Sequence, residues 1–340
     1  MKKSIVLAMA SLLTLGVNAE TRKVYSPDGR MQVSIIAENG TLNYEVSYDG
    51  KTILQPSSLG LKTDMGDYSQ NLTATKWTES KVDETYTMSR TKASKVNYQA
   101  NVMAVEMKSE KCPYTMTVVM QVSNNDIAYK YQLGGSDNSS KDEPRRATIV
   151  SETSSFRFPD QTTTFLCPQI GGTHQGWMST KPSYEEEYVI DAPMTDKSKF
   201  GLGYTFPCLF KVGNDGWVLV SETGVGSNYC GSRLSDFDAK KGYTVAYPSL
   251  DEYHGLGSYA PAISLPGETP WRTITVGSDL KPIVETTISY DVVKPLYEPR
   301  EEYKPGRYTW SWLIWQDNSI NYDDQVKFVD LAAKMGYEYC

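Results

Sequence analysis

One acidic cluster stands out in the chain, within the segment Ser183-Tyr184-Glu185-Glu186-Glu187-Tyr188. Adjacent carboxylates repel one another, and a divalent cation relieves that repulsion when one or two of them bind it through hard oxygen atoms. Because a calcium site collects several oxygens from separated segments, the cluster can supply only part of one. The pattern indicates either a partial metal site at Glu185, Glu186 and Glu187 or a solvated acidic loop.

A glycine-rich turn that bears a histidine and a tryptophan precedes this cluster, with the sequence GGTHQGW over residues 171–177. Trp177 can stack on the face of a pyranose while His174 hydrogen-bonds the sugar hydroxyls, so the turn could form one wall of a sugar site. The alternative is a tight loop whose tryptophan fills the edge of a sandwich. The turn is not a dinucleotide fingerprint, because that motif needs a βαβ context.

Charge, cysteine and histidine content argue against several classes of function. The net charge of −7 and the pI of about 5.1 speak against a nucleic-acid partner, because phosphate binding needs concentrated Lys and Arg. The five cysteines form no CxxC pair and only two histidines are present, so neither a zinc site nor a Cys–His nucleophile is expected. No GxSxG elbow accompanies Asp251 and His254, which argues against a serine hydrolase.

The N-terminus predicts a secretory signal over residues 1–19. Lys2 and Lys3 form a basic start, a short apolar run follows from Ile5 to Val17, and the small residue Ala19 offers a cleavage site. The apolar run is too short to span a bilayer, which takes about 20 residues. The mature protein is therefore expected to be periplasmic or secreted, without membrane insertion after cleavage.

From residue 20 to residue 293 the sequence predicts antiparallel β-structure. Apolar and polar residues alternate in several runs, which is typical of strands with one buried face. These runs include Met31, Val33 and Ile35; Met116, Val118, Met120 and Val122; and Ile127, Tyr129, Tyr131 and Leu133. Turn-forming pairs such as Asn39-Gly40 and Asp49-Gly50 separate them. Glu222 ends another apolar run and is interpreted either as functional or as marking the end of that strand. This region is predicted to be one large sandwich of packed sheets.

The character of the chain changes after Lys294. Residues 294–306 are rich in proline and charge and predict a linker. A strand is expected from Arg307 to Trp315, followed by a helix that Asp323 or Asp324 caps and that ends near Met335, with Gly336 as its left-handed C-terminal cap. A second strand is expected to begin at Tyr337. Strand, helix and strand make the first step of an α/β barrel over residues 307–340, and the rest of such a barrel would follow Cys340.

Several local patterns, taken in order, resemble the N-terminal region of glycoside hydrolase family 97. They are VYSPDGR at 24–30, LNYEV at 42–46, SLGL at 58–61, TFP at 205–207, SE at 221–222, TPWRTI at 269–274, KPGRYTWSW at 304–312 and DLAAKMGYEY at 330–339. The resemblance implies a galactose-mutarotase-like super-β-sandwich followed by a catalytic (β/α)₈ barrel. It also implies calcium-dependent, exo-acting hydrolysis of α-glucosides or α-galactosides of oligosaccharides.

The resemblance also implies roles for particular residues. Family members carry a calcium-binding glutamate of the sandwich in a Tyr-Glu-x-x-Tyr pattern, which Tyr184 to Tyr188 matches with Glu185 as the first choice. Glu186 and Glu187 remain candidates because three acids stand in a row. The catalytic carboxylates are expected after Cys340, so the chain as given is expected to be inactive. The chain departs from the acidic version of the Trp310–Trp315 strand that some members have near Ser311.

Two other classes of function remain beside this one. A non-catalytic carbohydrate-binding sandwich of a secreted protein is the main alternative, and the barrel-like start after Gly306 argues against it. A surface adhesion or structural domain is the third, but no repeat, stalk or low-complexity segment supports it.

Overall fold

The structure is a computed structural model, and it describes residues 19–88, 93–134, 146–170, 186–248, 259–297, 300–301 and 304–340. The predicted signal up to residue 18, the candidate sugar-binding residues His174 and Trp177, and Glu185 lie outside these ranges. The chain divides into two compact units, Met1–Val293 and Lys294–Cys340.

Antiparallel strands make up most of the first unit, as predicted. They are β1 Glu20–Tyr25, β2 Met31–Glu38, β3 Thr41–Tyr48, β4 Lys51–Leu59, β5 Leu61–Thr63, β6 Gly66–Tyr68, β7 Thr73–Thr87, β8 Lys95–Lys108, β9 Met116–Val122, β10 Asp126–Leu133, β11 Arg146–Glu152, β12 Ser155–Phe156, β13 Thr162–Pro168, β14 Val189–Pro193, β15 Tyr204–Val212, β16 Gly216–Thr223, β17 Arg233–Leu234, β18 Tyr243–Ala246, β19 Ala262–Ser264, β20 Gly267–Glu268 and β21 Trp271–Gly277.

These strands form three sheets in the described part of the unit. The largest has thirteen strands and runs β12-β18-β17-β15-β16-β21-β10-β9-β8-β7, with β13, β14 and β20 attached at its sides. The second has the simple order β1-β2-β3-β4, and the third has the order β19-β11-β5-β6. Every strand pair in them is antiparallel, so the prediction of a mainly β, antiparallel fold is confirmed.

Tight turns set the register of the β2–β4 meander. Asn39 and Gly40 join β2 to β3, and Asp49 and Gly50 join β3 to β4, all four with positive φ. Two successive left-handed residues give a backbone twist that matches the twist of the flanking strands. The turn residues thereby align the buried positions of adjacent strands.

One continuous core lies between the sheets, and the predicted alternation describes it well. The residues of the three alternating runs named above are all buried there. Tyrosines fill much of this core: Tyr44 lies 5.8 Å from Tyr129 between ring centroids, and Tyr131 meets Tyr129 edge to face. Alternation therefore identified the inward face of β2, β9 and β10.

Two short helices, α1 Lys281–Glu285 and α2 Ile288–Val292, follow the last strand. The expectation of strands and turns alone up to residue 293 is wrong here. Each helix has five residues, too few to show a helical period in the sequence, and α2 gains its stability from packing. Ile288 is buried with Ala128 and Trp271 in a second, smaller cluster.

The second unit contains α3 Trp312–Trp315, a 3₁₀ turn over Gln316–Ser319 and α4 Tyr322–Met335. The predicted helix is confirmed, including Gly336 as its left-handed cap with φ of 65°, although Asn321 rather than an aspartate caps its N-terminus. The predicted strand from Arg307 to Trp315 is wrong. Only an isolated parallel bridge between Tyr308 and Tyr339 forms, and residues 312–315 are helical.

The physical reason is that the alternation ends at Trp312, where four apolar residues follow one another, and that the described residues offer the run no partner strand, only the bridge to Tyr339. The second unit thus has one long helix flanked by a single bridge, and the start of a barrel is not evident from it.

Candidate functional site

The acidic segment, residues 185–187, is described from Glu186 onward. The side chain of Glu186 is 19% exposed and lies 3.8 Å from the Lys199 ammonium, measured from Oε2 to Nζ, while Glu187 is exposed. The Cys167 thiol donates to the backbone carbonyl of Glu186 over 3.6 Å. The thiol contact ties the segment to β13.

Strand pairing explains why the segment lies there. β14 begins at Val189, two residues after Glu187, and Val189 pairs with Leu166 on β13. β13 in turn pairs with β15 along the large sheet. The backbone before β14 therefore lies next to Cys167.

The donor chemistry of the acidic segment fits a hard cation, but the described residues do not complete a site. Within the described ranges, no group of three or more His, Cys, Asp and Glu side chains is placed to hold a metal ion. Lys199 is 61% exposed, so its ion pair with Glu186 is weak and does not prevent Glu186 from turning to a cation. Glu186 and Glu187 can thus supply one or two oxygens of a site completed by other residues.

A second group of ionisable residues is buried on the core face of the large sheet. We call Glu152, Glu222, Ser232 and Arg272 the buried charge cluster. The Arg272 guanidinium donates to both oxygens of Glu152, at 2.7 Å from Nη2 to Oε2 and 3.2 Å from Nε to Oε1, and also to Glu222. Its Nη1 donates to the Ser232 hydroxyl over 2.9 Å.

Register brings these residues together from distant parts of the chain. Arg272 on β21 is the direct cross-strand partner of Glu222 on β16 and of Tyr129 on β10. Glu152 arrives from the end of β11. The Ser232 amide donates to Glu222 Oε1 over 2.8 Å, and its hydroxyl donates to Glu222 Oε2.

Electrostatics makes the buried charge cluster a fixed structural element. Burial alone would lower the pKa of Arg272, but the adjacent carboxylates, chiefly Glu152, hold it well above its ordinary value. Arg272 and Glu152 are almost inaccessible, with side chains 1% and 0% exposed, whereas Glu222 is 11% exposed. Because the guanidinium occupies both oxygens of Glu152, that carboxylate is not available for acid–base work.

Two tyrosines, Tyr229 and Tyr247, lie near enough to Glu152 to feel its charge. The Tyr229 and Tyr247 hydroxyls are 2.8 Å apart. Burial raises the pKa of both phenols above the ordinary value, and the negative charge of Glu152 raises it further. Burial also raises the pKa of the Cys230 thiol to about 11. The two phenols and the thiol are therefore neutral near pH 7.

The sequence pointed to the acidic segment and missed most of the buried charge cluster. It predicted Glu185, Glu186 and Glu187 as candidate metal ligands, which stays a prediction, and it left Glu222 open between a functional residue and a strand end. It did not identify Glu152 or Arg272. A signal was present: Arg272 alternates with Ile274 and Val276 in β21, which puts a guanidinium on the core face and demands a buried carboxylate.

No helix in the described residues is both long enough and apolar enough to cross a membrane.

Comparison with solved structures places the fold among glycosidases. A crystal structure of a β-arabinopyranosidase matches with a TM-score of 0.87 and 53% identity, over 94% of this chain and 50% of that one. A glycoside hydrolase family 97 enzyme from Pseudoalteromonas sp. strain K8, in complex with panose, matches with a TM-score of 0.72 and 19% identity, over 93% of this chain and 46% of that one. At that identity the second match supports the fold alone.

Comparison with curated proteins gives the same family. A retaining α-galactosidase of Bacteroides thetaiotaomicron is 24% identical over 366 residues, which cover 100% of this chain and 52% of that protein. This chain therefore spans about half the length of the curated relatives it matches. The family model for the glycosyl-hydrolase 97 N-terminal region matches residues 24–295. The resemblance seen in the sequence is thus confirmed, and the chain belongs to glycoside hydrolase family 97 through its N-terminal domain.

Proposed function

We propose that this chain is the N-terminal part of a retaining, exo-acting glycosidase for α-D-galactopyranosides or β-L-arabinopyranosides. The observation that carries the proposal is the 53% identity to a β-arabinopyranosidase over nearly the whole chain. Two curated relatives named as retaining or probable retaining α-galactosidases support the same stereochemical class. Of the two substrate classes expected from the sequence, galactosides are thereby favoured over glucosides.

Sugar stereochemistry explains how a β-arabinopyranosidase and α-galactosidases can act on similar substrates. A β-L-arabinopyranoside has the same configuration as an α-D-galactopyranoside at C1 to C4 and lacks only the hydroxymethyl group on C5. A glucoside instead inverts C4. A site built for an axial C4 hydroxyl can therefore accept both sugars, and the space around C5 decides between them. The methylene of the hydroxymethyl group alone is worth about 1–3 kcal/mol of discrimination in an apolar pocket, and a hydrogen bond to its hydroxyl would add to that.

The catalytic carboxylates are proposed to lie on polypeptide that follows Cys340. A retaining mechanism uses two carboxyl groups about 5–5.5 Å apart, one as nucleophile and one as acid and then base. Glu152 and Glu222 do not suit these roles, because Arg272 binds both and Glu152 has no access to solvent. The sandwich therefore serves the reaction by supporting the site rather than by proton transfer.

Calcium is proposed as the metal of this site, with the acidic segment as the sandwich's contribution. A bound calcium ion orients and polarises sugar hydroxyls and a neighbouring carboxylate. Glu185 is the first choice as ligand from the family pattern, and the accessible carboxylates of Glu186 and Glu187 are the other candidates. His174 and Trp177 are proposed to contact the α-linked oligosaccharide substrate by hydrogen bonding and stacking.

The test is hydrolysis by the protein expressed from its complete reading frame. The substrates are p-nitrophenyl β-L-arabinopyranoside, α-D-galactopyranoside and α-D-glucopyranoside. We expect kcat/KM for the first two to exceed that for the glucoside by at least about a hundredfold. NMR of the first product should show retention at C1. A glucoside preference, or inversion, would contradict the proposal.

Calcium is tested by chelation on the same protein. EDTA should abolish activity and lower the melting temperature, because a ligand that binds only the folded state stabilises it. The calcium ligand is identified by single substitutions, with the exposed Glu285→Gln as the control. The variants are Glu185→Gln, Glu186→Gln and Glu187→Gln, and the one that loses the effect of calcium on activity and melting temperature marks the ligand. An activity and a melting temperature that are insensitive to EDTA would reject the metal.

Export to the periplasm or the medium is proposed from the N-terminal signal. We expect mass spectrometry of the protein from its native host to find Glu20 as the first residue. Recovery of the intact N-terminus from the cytosolic fraction would contradict export.

The second candidate function is a non-catalytic carbohydrate-binding sandwich, and a groove beside β1 favours it. The groove has a volume of about 490 Å³, and Tyr25, Lys23, Glu79, Lys81 and Asn101 contribute to its walls. Tyr25 is 45% exposed and offers a ring for stacking on a sugar. Calorimetry measures the binding of galacto-oligosaccharides. This candidate is supported if the protein lacks hydrolase activity and if Tyr25→Ala abolishes binding while the exposed control Tyr297→Ala retains it.

A further inference from the structure

The α1–α2 segment, residues 281–292, lies on the face of the large sheet opposite the main core. Ile288 packs there against Ala128 of β10 and Trp271 of β21, whereas the neighbours of Ala128 in sequence, Ile127 and Tyr129, point into the main core. Among the described residues, a small apolar cluster that also includes Val119 and Val292, together with a set of polar contacts, holds the segment. It ends one residue before the first unit does.

The first polar contact is made by Asp126, at the start of β10. This residue is only 8% exposed, and its Oδ1 accepts hydrogen bonds from two threonines. Thr275, its direct cross-strand partner on β21, donates over 2.5 Å, and Thr286, between α1 and α2, donates over 2.8 Å. The Thr286 hydroxyl also accepts from the Ile288 amide over 3.2 Å. Asp126 thus joins the sheet to the junction of the two helices.

The second polar contact is made by Asp291 on α2, which is 7% exposed. Its Oδ1 accepts a hydrogen bond of 2.6 Å from the Tyr86 hydroxyl on β7, and its Oδ2 accepts one of 3.0 Å from Thr287. Asp291 therefore fixes α2 to the long β7–β8 hairpin. Asp126 thus holds the junction between α1 and α2, and Asp291 holds α2 itself.

Among the described residues, only neutral donors contact these carboxylates. Within the described part of the chain, neither has a basic side chain as a hydrogen-bond or ion-pair partner. The ionisable groups that face them are acids and phenols: Glu84 and Tyr86 from β7, Tyr98 from β8, and each other. Burial, with a smaller contribution from Asp291 and against the hydrogen bonds from Thr275 and Thr286, raises the pKa of Asp126 to about 6; burial also raises the pKa of Asp291.

We propose that Asp126 and Asp291 form a proton-dependent clamp that holds the α1–α2 segment on the sheet when they are protonated and loosens when they ionise. A neutral carboxyl group keeps its hydroxyl donors at little cost in a buried site. Two carboxylate ions there repel each other and have no basic partner among the described residues, and moving the segment outward hydrates them. The device acts on the backbone that leads directly into Lys294.

The direction of the pH effect follows from linkage. In the closed state the segment lies on the sheet and the pKa of Asp126 is raised; in the open state the segment has moved away and that pKa is ordinary. Between the two pKa values the closed state binds more protons, so closing is favoured at lower pH. The contribution of Asp126 to closing is fully present below the ordinary pKa of about 3.9 and is lost as the pH rises through about 6. Two decades of proton concentration allow a change of up to about a hundredfold in the opening equilibrium from Asp126 alone.

The test is hydrogen–deuterium exchange of the full-length protein between pH 5 and pH 8, corrected for intrinsic exchange. Amides of residues 288–292 should lose protection by at least about tenfold as the pH rises through 6, while those of β21 stay constant. Asp126→Asn should keep the segment protected at pH 8. Glu285→Gln removes a carboxylate from an exposed position of the same segment and should leave the pH dependence unchanged.

A second variant keeps the proposal open to refutation if Asp126→Asn does not fold. Thr275→Val removes a donor on β21 that stabilises the ionised Asp126 and leaves the contact with the segment in place, so the transition should move to higher pH. Protection of residues 288–292 that does not change with pH in the native protein would overturn the clamp. So would an Asp126→Asn protein with the native pH profile.

Discussion

At the scale of single residues, the buried charge cluster depends on pairing. Removing one partner of a buried ion pair leaves the other charged and unsatisfied, which costs about 3–5 kcal/mol. Arg272 cannot lose its charge, since arginine stays protonated and its neighbours raise its pKa further. The stability of the first unit is therefore expected to be sensitive to each carboxylate that faces Arg272, and most of all to Glu152.

We predict that Glu152→Gln lowers the free energy of unfolding by about 3–5 kcal/mol, measured by urea denaturation at pH 7. The matched control is Glu268→Gln, whose carboxylate pairs with Lys130 but is 50% exposed. That change should cost less than about 1 kcal/mol, because solvent screens the pair. Equal effects of the two substitutions would show that the guanidinium finds other partners.

A second residue-scale prediction concerns the cost of ionising Asp126. Its folded-state pKa of about 6 exceeds the unfolded value, so the stability linked to it is present below about pH 3.9 and is lost as the pH rises through 6. Asp126→Asn should therefore be more stable than the native protein at pH 7, by up to about 3 kcal/mol, and no more stable at pH 4. Denaturation at several pH values measures this, and a difference independent of pH would contradict it.

At the scale of elements, hairpin geometry and strand faces could be predicted because they depend on neighbouring residues. The Asn39-Gly40 and Asp49-Gly50 pairs predict turns through their tolerance of positive φ, and alternation predicts the buried face. The short helices α1 and α2 could not be predicted, since five residues carry no period and their stability comes from contacts such as Ile288 on Trp271. The Trp310–Trp315 run was misassigned because aromatic content favours strands only where a partner exists.

The two glycine turns allow an element-scale prediction. Gly40 and Gly50 share nearly the same φ, 74° and 75°, so alanine carries a similar left-handed cost of about 1–2 kcal/mol at each. A Cβ at Gly50 would meet nothing within 4 Å, but one at Gly40 would lie 3.1 Å from the Asn71 amide nitrogen. Gly40→Ala should therefore destabilise more than Gly50→Ala in thermal denaturation. The reverse order would mean that the segment at Asn71 yields easily.

At the scale of the whole molecule, the sequence predicted the class of fold but not which strands meet. Glu152 and Arg272 are 120 positions apart, and only the sheet order, with β21 between β16 and β10, brings their neighbourhoods together. Local patterns fix the face of a strand, whereas strand order depends on long-range pairing that no single segment encodes. The family resemblance supplied that missing level for the fold.

The second unit exposes apolar side chains that favour association of the chain when it is produced alone. Its surface exposes a set of large apolar side chains: Trp310, Trp312, Leu313, Ile314 and Trp315, each at least 38% exposed. Leu313 and Ile314 are 68% and 69% exposed in adjacent positions. A contiguous apolar surface of this kind usually belongs to a contact with other protein, and left uncovered it favours association.

We therefore predict that residues 20–340 produced alone associate at micromolar concentration, as measured by light scattering. Residues 20–293 contain the continuous sandwich core and lack the apolar residues of the second unit, so they should remain monomeric. Leu313→Lys together with Ile314→Lys in the longer chain should restore most of the monomer, while lysines at the polar positions Asn318 and Asp323 should not. A monodisperse protein of residues 20–340 would mean that these side chains are covered within the chain. Association of residues 20–293 would instead place the associating surface on the sandwich.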